Sequence, residues 1–483
     1  MVQTNDRIMD EEMWGGEKHQ PKPSYLRSAV KGFIDVIRPA ILVKGPRKQL
    51  MSTSYLDGLR GWAAFMVYWQ HHQLWPRTLI FADQNFENGF GYMDRYFFGA
   101  FPGIRLFFSG GHFAVAIFFV ISGYVLSAKP IKLMYAGEHE KLGQNLSSAL
   151  FRRWIRLHIP VMGTTFVYMT SWHLFGIWTV TPVHERTYRD ELWKWYCEMK
   201  NFTFVFRTGG ESWLTYNFHA WSIPVEFRGS IIVYTALLAF SRCTRNARLW
   251  CQVGLMFYFM YIVDGWFGTM FVSGMFLCEL DFLATQNNLP NWISNLSKYK
   301  VKGSYVLFCC AIYLGGCPSH GSDIQIIRDS PGWYWLSWFH PQANMDPKWL
   351  FLWTGAFMMM IAIPNLKWLK GFFETRFCQY LGHISFALYL THGPVLWLLG
   401  DRLYTATGWH REANLIHTPY WVDAFPLSKA GPLGFDMAFW VPQIFLLPFT
   451  LWMAEIVTKV FDEPSVKIAQ WCYRKTLAPA PKM

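Results

Sequence analysis

Residues 55–72 read YLDGLRGWAAFMVYWQHH, and this stretch decides the class of the protein. It opens a nearly continuous apolar segment, residues 57–76, whose length matches the roughly 20 residues that a helix needs to cross a hydrocarbon layer. A charged side chain at the middle of a membrane costs about 2.5–3.5 kcal/mol on insertion scales, so each one needs a partner or a function. The stretch therefore predicts a membrane helix with functional groups, and these groups are Asp57, Arg60, His71 and His72.

Apolar segments of similar length recur along the whole chain. Of its 483 residues, 52% are hydrophobic and only 16% are charged, whereas about 25% charged residues are usual in soluble domains. The pattern predicts an all-α, polytopic membrane helical bundle of about ten transmembrane helices. The predicted spans are residues 57–76, 104–127, 158–179, 221–241, 249–264, 266–284, 303–318, 349–365, 380–400 and 437–458.

The distribution of basic residues predicts that the N- and C-termini are both cytoplasmic. With that orientation, the inside segments hold 29 of the 44 Lys and Arg residues, the outside segments hold 13, and the spans hold two. Cytoplasmic loops of membrane proteins carry such an excess. The net charge of +12 therefore indicates contact with anionic membrane lipids, and no nucleic acid partner is expected.

The predicted spans divide the chain into three parts. Residues 1–54 form a cytoplasmic N-terminal segment with an interfacial helix within 24–50, residues 55–465 form the transmembrane domain, and residues 466–483 form a cytoplasmic tail. Asn201-Phe202-Thr203 lies in a predicted outside loop and is a glycosylation sequon if the chain enters a secretory compartment. A multi-pass membrane protein of this kind in a eukaryote is expected in the endoplasmic reticulum or another endomembrane.

Arg60 and His71 share one face of the first span. They are eleven residues apart, which at 100° per residue places them about 20° from eclipsed, with a rise of about 16.5 Å. His72 points about 100° away, so His71 is the better candidate for lining a cavity. Asp57 and Arg60 are three residues apart and can pair. The alternative is structural: Arg60 reaches the headgroups and His71 bonds a backbone carbonyl.

Two further segments place polar side chains along one face of a helix. In WSIPVEFRG (221–229), Ser222 and Glu226 are four residues apart, and Trp221 precedes them at the outer interface. Glu226 either has a function or forms an ion pair with Arg228 or with a cation of another span. In ISFALYLTH (384–392) a second polar stripe consists of Ser385, Tyr389 and His392. This stripe either belongs to the site or reflects ordinary helix packing.

The segment FRRWIRLHIP (151–160) carries arginines at the predicted inner end of the third span. Three guanidinium groups there can hold a polyphosphate or anionic lipid headgroups. These groups are Arg152, Arg153 and Arg156.

These segments, in this order, resemble the acyltransferase 3 family. The first span matches the family's Arg-x10-His spacing, and FFVISGYVL (118–126), with Ser122, resembles its second-span motif. FRRWIRLHIP, WSIPVEF, ISFALYLTH and Phe461-Asp462-Glu463-Pro464 resemble its later elements, so the similarity covers residues 55–465. Pro224 and Trp62 depart from the pattern. The resemblance implies an integral-membrane enzyme that moves an acyl group, usually acetyl, from acyl-CoA to a hydroxyl.

The resemblance implies roles for the candidate residues. CoA phosphates would bind Arg152, Arg153 and Arg156 with help from Arg60. His71 would deprotonate the acceptor or carry the acyl group, Glu226 would orient or charge-balance an imidazole, and Ser222 would donate a hydrogen bond. Supporting positions are Asp57, Ser122, Trp221, Ser385, Tyr389 and His392. The fifteen histidines form no HExxH motif, so no metal and no permanently bound cofactor is predicted.

The acceptor class is less constrained by the sequence. An aromatic-rich bundle favours a lipophilic hydroxylated metabolite of the terpenoid or polyketide type over a cell-surface glycan. A transporter or flippase that uses Asp57, Arg60, His71 and Glu226 as a substrate or proton path is the alternative from another class. A non-catalytic scaffold is the third.

Overall fold

A computed structural model describes residues 32–40, 49–77, 103–206, 213–318, 322–430 and 436–477. The chain divides into two compact units, residues 1–45 and residues 46–483. In the first unit residues 32–37 are helical, and the rest of the predicted interfacial helix, 24–31 and 41–48, lies outside the described residues. All regular structure in the described residues is helical, which confirms the all-α prediction.

The second unit is built from long helices joined by short ones. The long helices, in chain order, are α1 (Ser54–Leu74), α2 (Gly111–Tyr135), α3 (His139–Phe175), α4 (Tyr188–Phe202), α5 (Ser222–Ala239), α6 (Arg245–Phe257), α7 (Trp266–Thr285), α8 (Lys300–Gly315), α9 (Lys348–Ala362), α10 (Arg376–Val395), α11 (Met437–Val457) and α12 (Glu463–Thr476). The short helices are Leu106–Ser109, Asn291–Leu296, Ile324–Asp329, Tyr334–Ser337, Lys367–Phe373, Asp401–Ala406 and Glu412–His417.

Irregular helical turns extend several of these helices. Tyr258–Ile262, Leu396–Gly400 and Thr458–Asp462 are π-helical and follow α6, α10 and α11. The last of these joins α11 directly to α12, so the domain boundary proposed after residue 465 falls within a helix. Thr215–Trp221, Ser297–Tyr299, Ile363–Asn365 and Pro419–Trp421 are 3-10 turns.

Each of the ten predicted spans overlaps one of the long helices. Within the described residues, four helical stretches are both long and apolar enough to cross a membrane: Gly111–Tyr135, Thr215–Ala239, Trp266–Thr285 and Met437–Thr476. A fifth candidate is the pair Lys348–Asn365 and Lys367–Phe373, which is bent by 102°. The protein therefore has several candidate membrane-spanning helices. The helical class of the bundle is confirmed, whereas the number of ten spans stays a prediction.

Helix α1 packs closely against α10 and the short helix Lys367–Phe373 because glycines let the backbones approach one another. A Cβ atom added at Gly61 would lie 2.2 Å from the Gly382 nitrogen, and one added at Gly58 would lie 1.8 Å from the Phe373 oxygen. Small residues permit such close helix contacts in membrane proteins. Arg60 contacts Gly382, and His71 contacts His392 further along both helices. The two helices therefore run parallel.

Helix α2 is the second hub of the bundle. It packs against α1, α5, α7 and α9, and its residue Gly123 faces the backbone of Phe271, where an added Cβ would lie 2.0 Å from the carbonyl oxygen. Helix α3 packs against α5 and α12. These contacts place one polar face of each of α1, α2, α3, α5 and α10 around a common interior space.

Candidate active site

A cavity of about 160 Å³ lies between α1, α2, α3, α5 and α10. Its polar wall combines basic, acidic and hydroxyl groups, whereas the remaining wall is aliphatic and aromatic. The polar members are Arg60, Ser122, Arg153, Arg156, Ser222, Glu226, His383, Ser385, Tyr389 and Asp462. The apolar members are Val115, Phe118, Phe119, Leu157, Ile223 and Phe386.

Most of the candidates from the sequence meet in this wall. They come from five different helices and are separated in sequence by up to about 330 positions. The residues brought together are Arg60, Ser122, Arg153, Arg156, Ser222, Glu226, Ser385 and Tyr389. The structure adds His383 and Asp462, which the sequence analysis did not select.

Arg60 is held at the mouth of the cavity by two contacts. Its guanidinium donates to the Gly382 carbonyl oxygen at 3.1 Å and lies 3.3 Å from the Asp57 carboxylate. The pairing of Asp57 with Arg60 is therefore present. Both side chains remain partly exposed, so the arginine also faces water-accessible space.

Glu226 has one of the partners that the sequence allowed, a cation of another span. Its carboxylate forms an ion pair with Arg153 of α3 and accepts a hydrogen bond from the Ser122 hydroxyl at 2.6 Å. Arg153 also donates to the Ser230 hydroxyl at 3.0 Å. In the described residues Glu226 contacts neither an imidazole nor Arg228, whose guanidinium donates to the Val205 carbonyl. Helix α5 turns Glu226 toward α3, so in the described part of the chain no direct contact with an imidazole supports the predicted role of this carboxylate in orienting one.

The three arginines of α3 separate into two environments. Arg153 and Arg156 line the cavity, whereas Arg152 donates to the Ser148 carbonyl at 3.1 Å and is absent from the cavity wall as far as the chain is described. Adjacent residues of a helix point about 100° apart, so Arg152 and Arg153 cannot face the same space. Of the four arginines predicted to hold the CoA phosphates, the cavity wall therefore contains Arg60, Arg153 and Arg156.

A chain of hydroxyl groups leads from the cavity toward the first span. The Tyr389 hydroxyl donates to the main-chain carbonyl of His219 and lies 2.7 Å from the Ser222 hydroxyl. Because Tyr389 has a single proton to give, Ser222 is the donor in their hydrogen bond. Ser385, one turn before Tyr389, donates to the Gly382 carbonyl at 3.0 Å.

Beside Tyr389, three histidines from three elements form a cluster. His71 Nδ1 lies 3.0 Å from His392 Nε2, and the His71 ring stacks on the His219 ring with centroids 3.6 Å apart. His219 and His392 are buried, and His71 is the most accessible of the three. Among the described residues His71 is not part of the cavity wall, but its two partners contact Tyr389, which is.

His219 is the member of the cluster that sequence reasoning missed. It lies two residues before Trp221, immediately ahead of the WSIPVEF segment, and a histidine at the start of an apolar span is the signal that was available. Gly393 makes room for it, because an added Cβ at that position would lie 2.8 Å from His219 Nδ1.

The three histidines of the cluster are close enough to be considered as a metal site. One ligand atom from each of the three imidazoles lies within 4.8 Å of the others, which is close enough for a shared ion. A metal bound to an imidazole nitrogen lies near the plane of that ring, at about 2.0–2.1 Å for zinc. The His71 and His219 rings are stacked face to face, with only 19° between their planes. Their lone pairs do not converge, so the present arrangement is not a preformed three-histidine site.

The remaining candidates lie away from the cavity. His72 Nδ1 lies 2.8 Å from the Tyr404 hydroxyl and also contacts the Gln443 amide, in a separate buried cluster. Trp221 packs against Trp266 and Trp349. Asn201 is exposed in the last turn of α4.

Comparison of the sequence with known proteins identifies the family of this chain. Residues 53–454 match the family described as "Acyltransferase domain", the acyltransferase 3 family. The chain is 29% identical to "O-acetyltransferase PaAT-1" of Phomopsis amygdali over 92% of this chain and 90% of that protein. It is 22% identical to "Acyltransferase R4" of Phoma sp. (88% and 96%) and to "Acyltransferase clz18" of Cochliobolus lunatus (75% and 86%). No solved structure matches. With the match extending over most of its length, the chain belongs to the acyltransferase 3 family and is an acyltransferase.

Proposed function

We propose that this protein transfers an acetyl group from acetyl-CoA to a hydroxyl of a lipophilic small molecule, within a bundle of ten transmembrane helices whose two termini are cytoplasmic. The observation that carries the proposal is the continuity of the site. Cationic groups of α1 and α3 line one cavity with Ser222 and Tyr389, and Tyr389 in turn contacts the cluster that contains His71.

The charges at the cavity mouth suit the phosphates of the donor. Arg153 is held in a buried ion pair with Glu226, whereas the Arg60–Asp57 pair is partly exposed. Arg60 and Arg156 are therefore the cations that would meet a polyphosphate. Guanidinium groups bind phosphate through paired hydrogen bonds. Arg152, outside the cavity wall, would contact the donor or lipid headgroups at the surface.

The size of the cavity supports a short acyl chain. Its volume of about 160 Å³ is below the roughly 300–1,000 Å³ of pockets that enclose a whole drug-sized ligand. It would therefore admit the acyl end of the pantetheine arm and leave the nucleotide at the mouth. The rise of about 16.5 Å between Arg60 and His71 is the distance that this arm would cover.

His71 is the proposed general base. The acceptor O–H proton moves to the imidazole while the acceptor oxygen attacks the thioester carbonyl, and the C–S bond then breaks to release CoA. The proton returns from the imidazolium to the CoA sulfur. Imidazole is suited to both steps because its ordinary pKa lies near neutrality.

The acceptor class follows from the walls. Phe118, Phe119 and Phe386 line the cavity. Such walls favour a terpenoid or polyketide alcohol over a hydrated glycan. The name of the Phomopsis amygdali relative, an O-acetyltransferase, supports the acetyl donor.

The test uses full-length protein in nanodiscs with [¹⁴C]acetyl-CoA and a panel of hydroxylated terpenoids, polyketides and oligosaccharides. We expect CoA release that depends on an acceptor, and a labelled product that partitions into organic solvent. His71→Ala should lower the rate by about 10²–10⁴-fold, the range for loss of a general base. His139→Ala, at an exposed helix end, is the control and should behave as wild type.

Each other outcome favours an alternative. Equal rates in the two variants would remove His71 from the mechanism. A labelled oligosaccharide would favour the glycan acceptor. Uptake of a substrate into proteoliposomes without CoA release would favour a transporter.

A further inference from the structure

The orientation of the two hydrogen-bonded histidines assigns a role to His392. Its Nδ1 lies 3.1 Å from the carbonyl oxygen of Leu388, one turn earlier in α10. Its Nε2 lies 3.0 Å from His71 Nδ1. His392 is 1% exposed, so water does not compete for either nitrogen.

The partners determine which nitrogen carries each proton. A carbonyl oxygen only accepts, so His392 Nδ1 must be the protonated, donating nitrogen. In a neutral imidazole the other nitrogen is then an acceptor, and this is His392 Nε2. His71 Nδ1 must therefore carry a proton to donate to it.

We propose that His392 is a positioning residue that holds the proton of His71 on Nδ1 and so leaves the lone pair on Nε2 as the catalytic base. The inference rests on the proposed function of His71. The carbonyl of Leu388 sets the tautomer of His392, and His392 sets the tautomer of His71.

This arrangement does the work that a carboxylate does in many base-catalysed transfers. The deep carboxylate of the site, Glu226, is committed to Arg153 and Ser122. In the part of the chain that the structure describes, no carboxylate contacts the His71 ring. When Nε2 takes the acceptor proton, the positive charge on His71 is shared through Nδ1–H with a neutral ring, and the proton later leaves from Nε2 to the CoA sulfur.

His219 has a different relation to His71. Its ring stacks on the face of His71 and offers no hydrogen bond in the ring plane, and its Nδ1 is buried without a hydrogen-bond partner. It therefore restrains the tilt of His71 but cannot select a tautomer.

The direct test is ¹⁵N NMR of the protein labelled with ¹⁵N-histidine, in nanodiscs without donor. The His71 signals are assigned by their loss in His71→Gln. We expect a protonated Nδ1 and an unprotonated Nε2 in wild type, and loss of this preference in His392→Leu. An unprotonated Nδ1 on His71 in wild type would overturn the proposal, whether or not the protein transfers acetyl groups.

A matched pair of substitutions tests the same point by kinetics. The amide of glutamine reaches the place of Nε2 and can accept from His71, whereas the shorter asparagine reaches only the place of Nδ1. We expect His392→Gln to retain kcat within about tenfold and His392→Asn and His392→Leu to lose about 10²-fold or more, with the KM for acetyl-CoA unchanged within about threefold.

The outcomes separate positioning from simple packing. Equal kcat losses in all three variants, or losses confined to KM, would contradict the assignment, and the thermal unfolding midpoint of each variant identifies misfolded protein. A stoichiometric metal ion that is lost in His71→Gln, His219→Gln and His392→Gln alike would also overturn it, because metal binding needs the lone pair of His71 Nδ1 that the proposal fills with a proton.

Discussion

Glu226 shows how a single buried acid acquires its role from another helix. Its side chain is only 13% exposed, and that of its partner Arg153 only 14%, so both charges have lost most of their water. A buried ion pair adds little net stability, yet removing one partner leaves an uncompensated charge. The pair therefore sets the geometry of the cavity mouth, and its integrity should be visible in the stability of the protein.

We predict that Glu226→Gln lowers the free energy of unfolding by about 3–5 kcal/mol, because Arg153 is left buried without its counter-charge. The double variant Arg153→Met, Glu226→Met should be closer to wild type than either single variant. Thermal unfolding in detergent micelles measures the effect, with the exposed Glu140→Gln as control. A double variant that is no more stable than the less stable of the two single variants would contradict the ion-pair interpretation.

A second residue-scale feature lies in the loop between α3 and α4, where His184 packs against the end of α3. Its ring stacks on Trp172 with centroids 4.1 Å apart and bonds the Thr179 hydroxyl at 2.7 Å. Burial lowers the pKa of His184 below its ordinary value, against the opposing attraction of Glu191. The folded loop therefore prefers the neutral ring.

The sign of the resulting pH dependence follows. The unfolded loop takes up a proton at about pH 6.5, before the folded loop does, so the loop is most stable above that pH and loses stability as the pH falls. Hydrogen-exchange protection factors of residues 177–187, which correct for the intrinsic pH dependence of amide exchange, should be lower at pH 5.5 than at pH 7.5 in wild type. His184→Phe should reduce this difference, and an unchanged difference would contradict the assignment of the effect to His184.

At the scale of elements, the parallel contact of α1 and α10 governs the site. Arg60 and His71 of α1 meet Gly382 and His392 of α10, so the separation of these helices fixes both ends of the proposed donor path. Gly61 permits that separation, since an added Cβ would lie 2.2 Å from the backbone of Gly382.

Gly61→Ala should force the two helices apart, lower the thermal unfolding midpoint and reduce acyl transfer by tenfold or more, because a shift of about 1 Å can cost about 10²-fold. Gly371→Ala is the matched control: it is also helical, and an added Cβ there meets nothing within 4 Å. That variant should be neutral or more stable by about 0.5–1 kcal/mol. Equal behaviour of the two variants would show that the close approach is not needed.

At the scale of the molecule, the orientation of the bundle determines the side of the membrane on which each loop lies. The parallel course of α1 and α10 requires an even number of crossings between their starts, as in the ten-span arrangement, in which both run outward. The excess of Lys and Arg on the predicted inner side favours the orientation in which both helices run outward.

Glycosylation tests this orientation. When the full chain is expressed in a eukaryotic cell, we expect one glycan at Asn201, so Asn201→Gln should abolish a mobility shift that is sensitive to endoglycosidase. Asn145→Gln, which removes a sequon on the predicted inside, should have no effect. A glycan on Asn145 would invert the topology and place the arginines of α3 away from cytosolic acyl-CoA.

The positions of the helices and most of the side chains of the site could be predicted from the amino-acid sequence alone. Helix position follows from runs of apolar residues, and a polar residue within such a run is conspicuous because burial without a partner is costly; this is why Arg60, Glu226 and Tyr389 were selected before any contact was known. Helical periodicity also separated His71 from His72, which lies in a different cluster.

Only the tertiary structure decided which of these groups face one another. Periodicity gives the direction of a side chain within its own helix, but the rotation of one helix against another depends on packing across hundreds of residues. That packing turned Glu226 to Arg153 instead of an imidazole, excluded Arg152 from the cavity, and brought His219 and His392 to His71. The pairing of charges and histidines is a property of the assembled bundle because its partners are contributed by helices that are far apart in sequence.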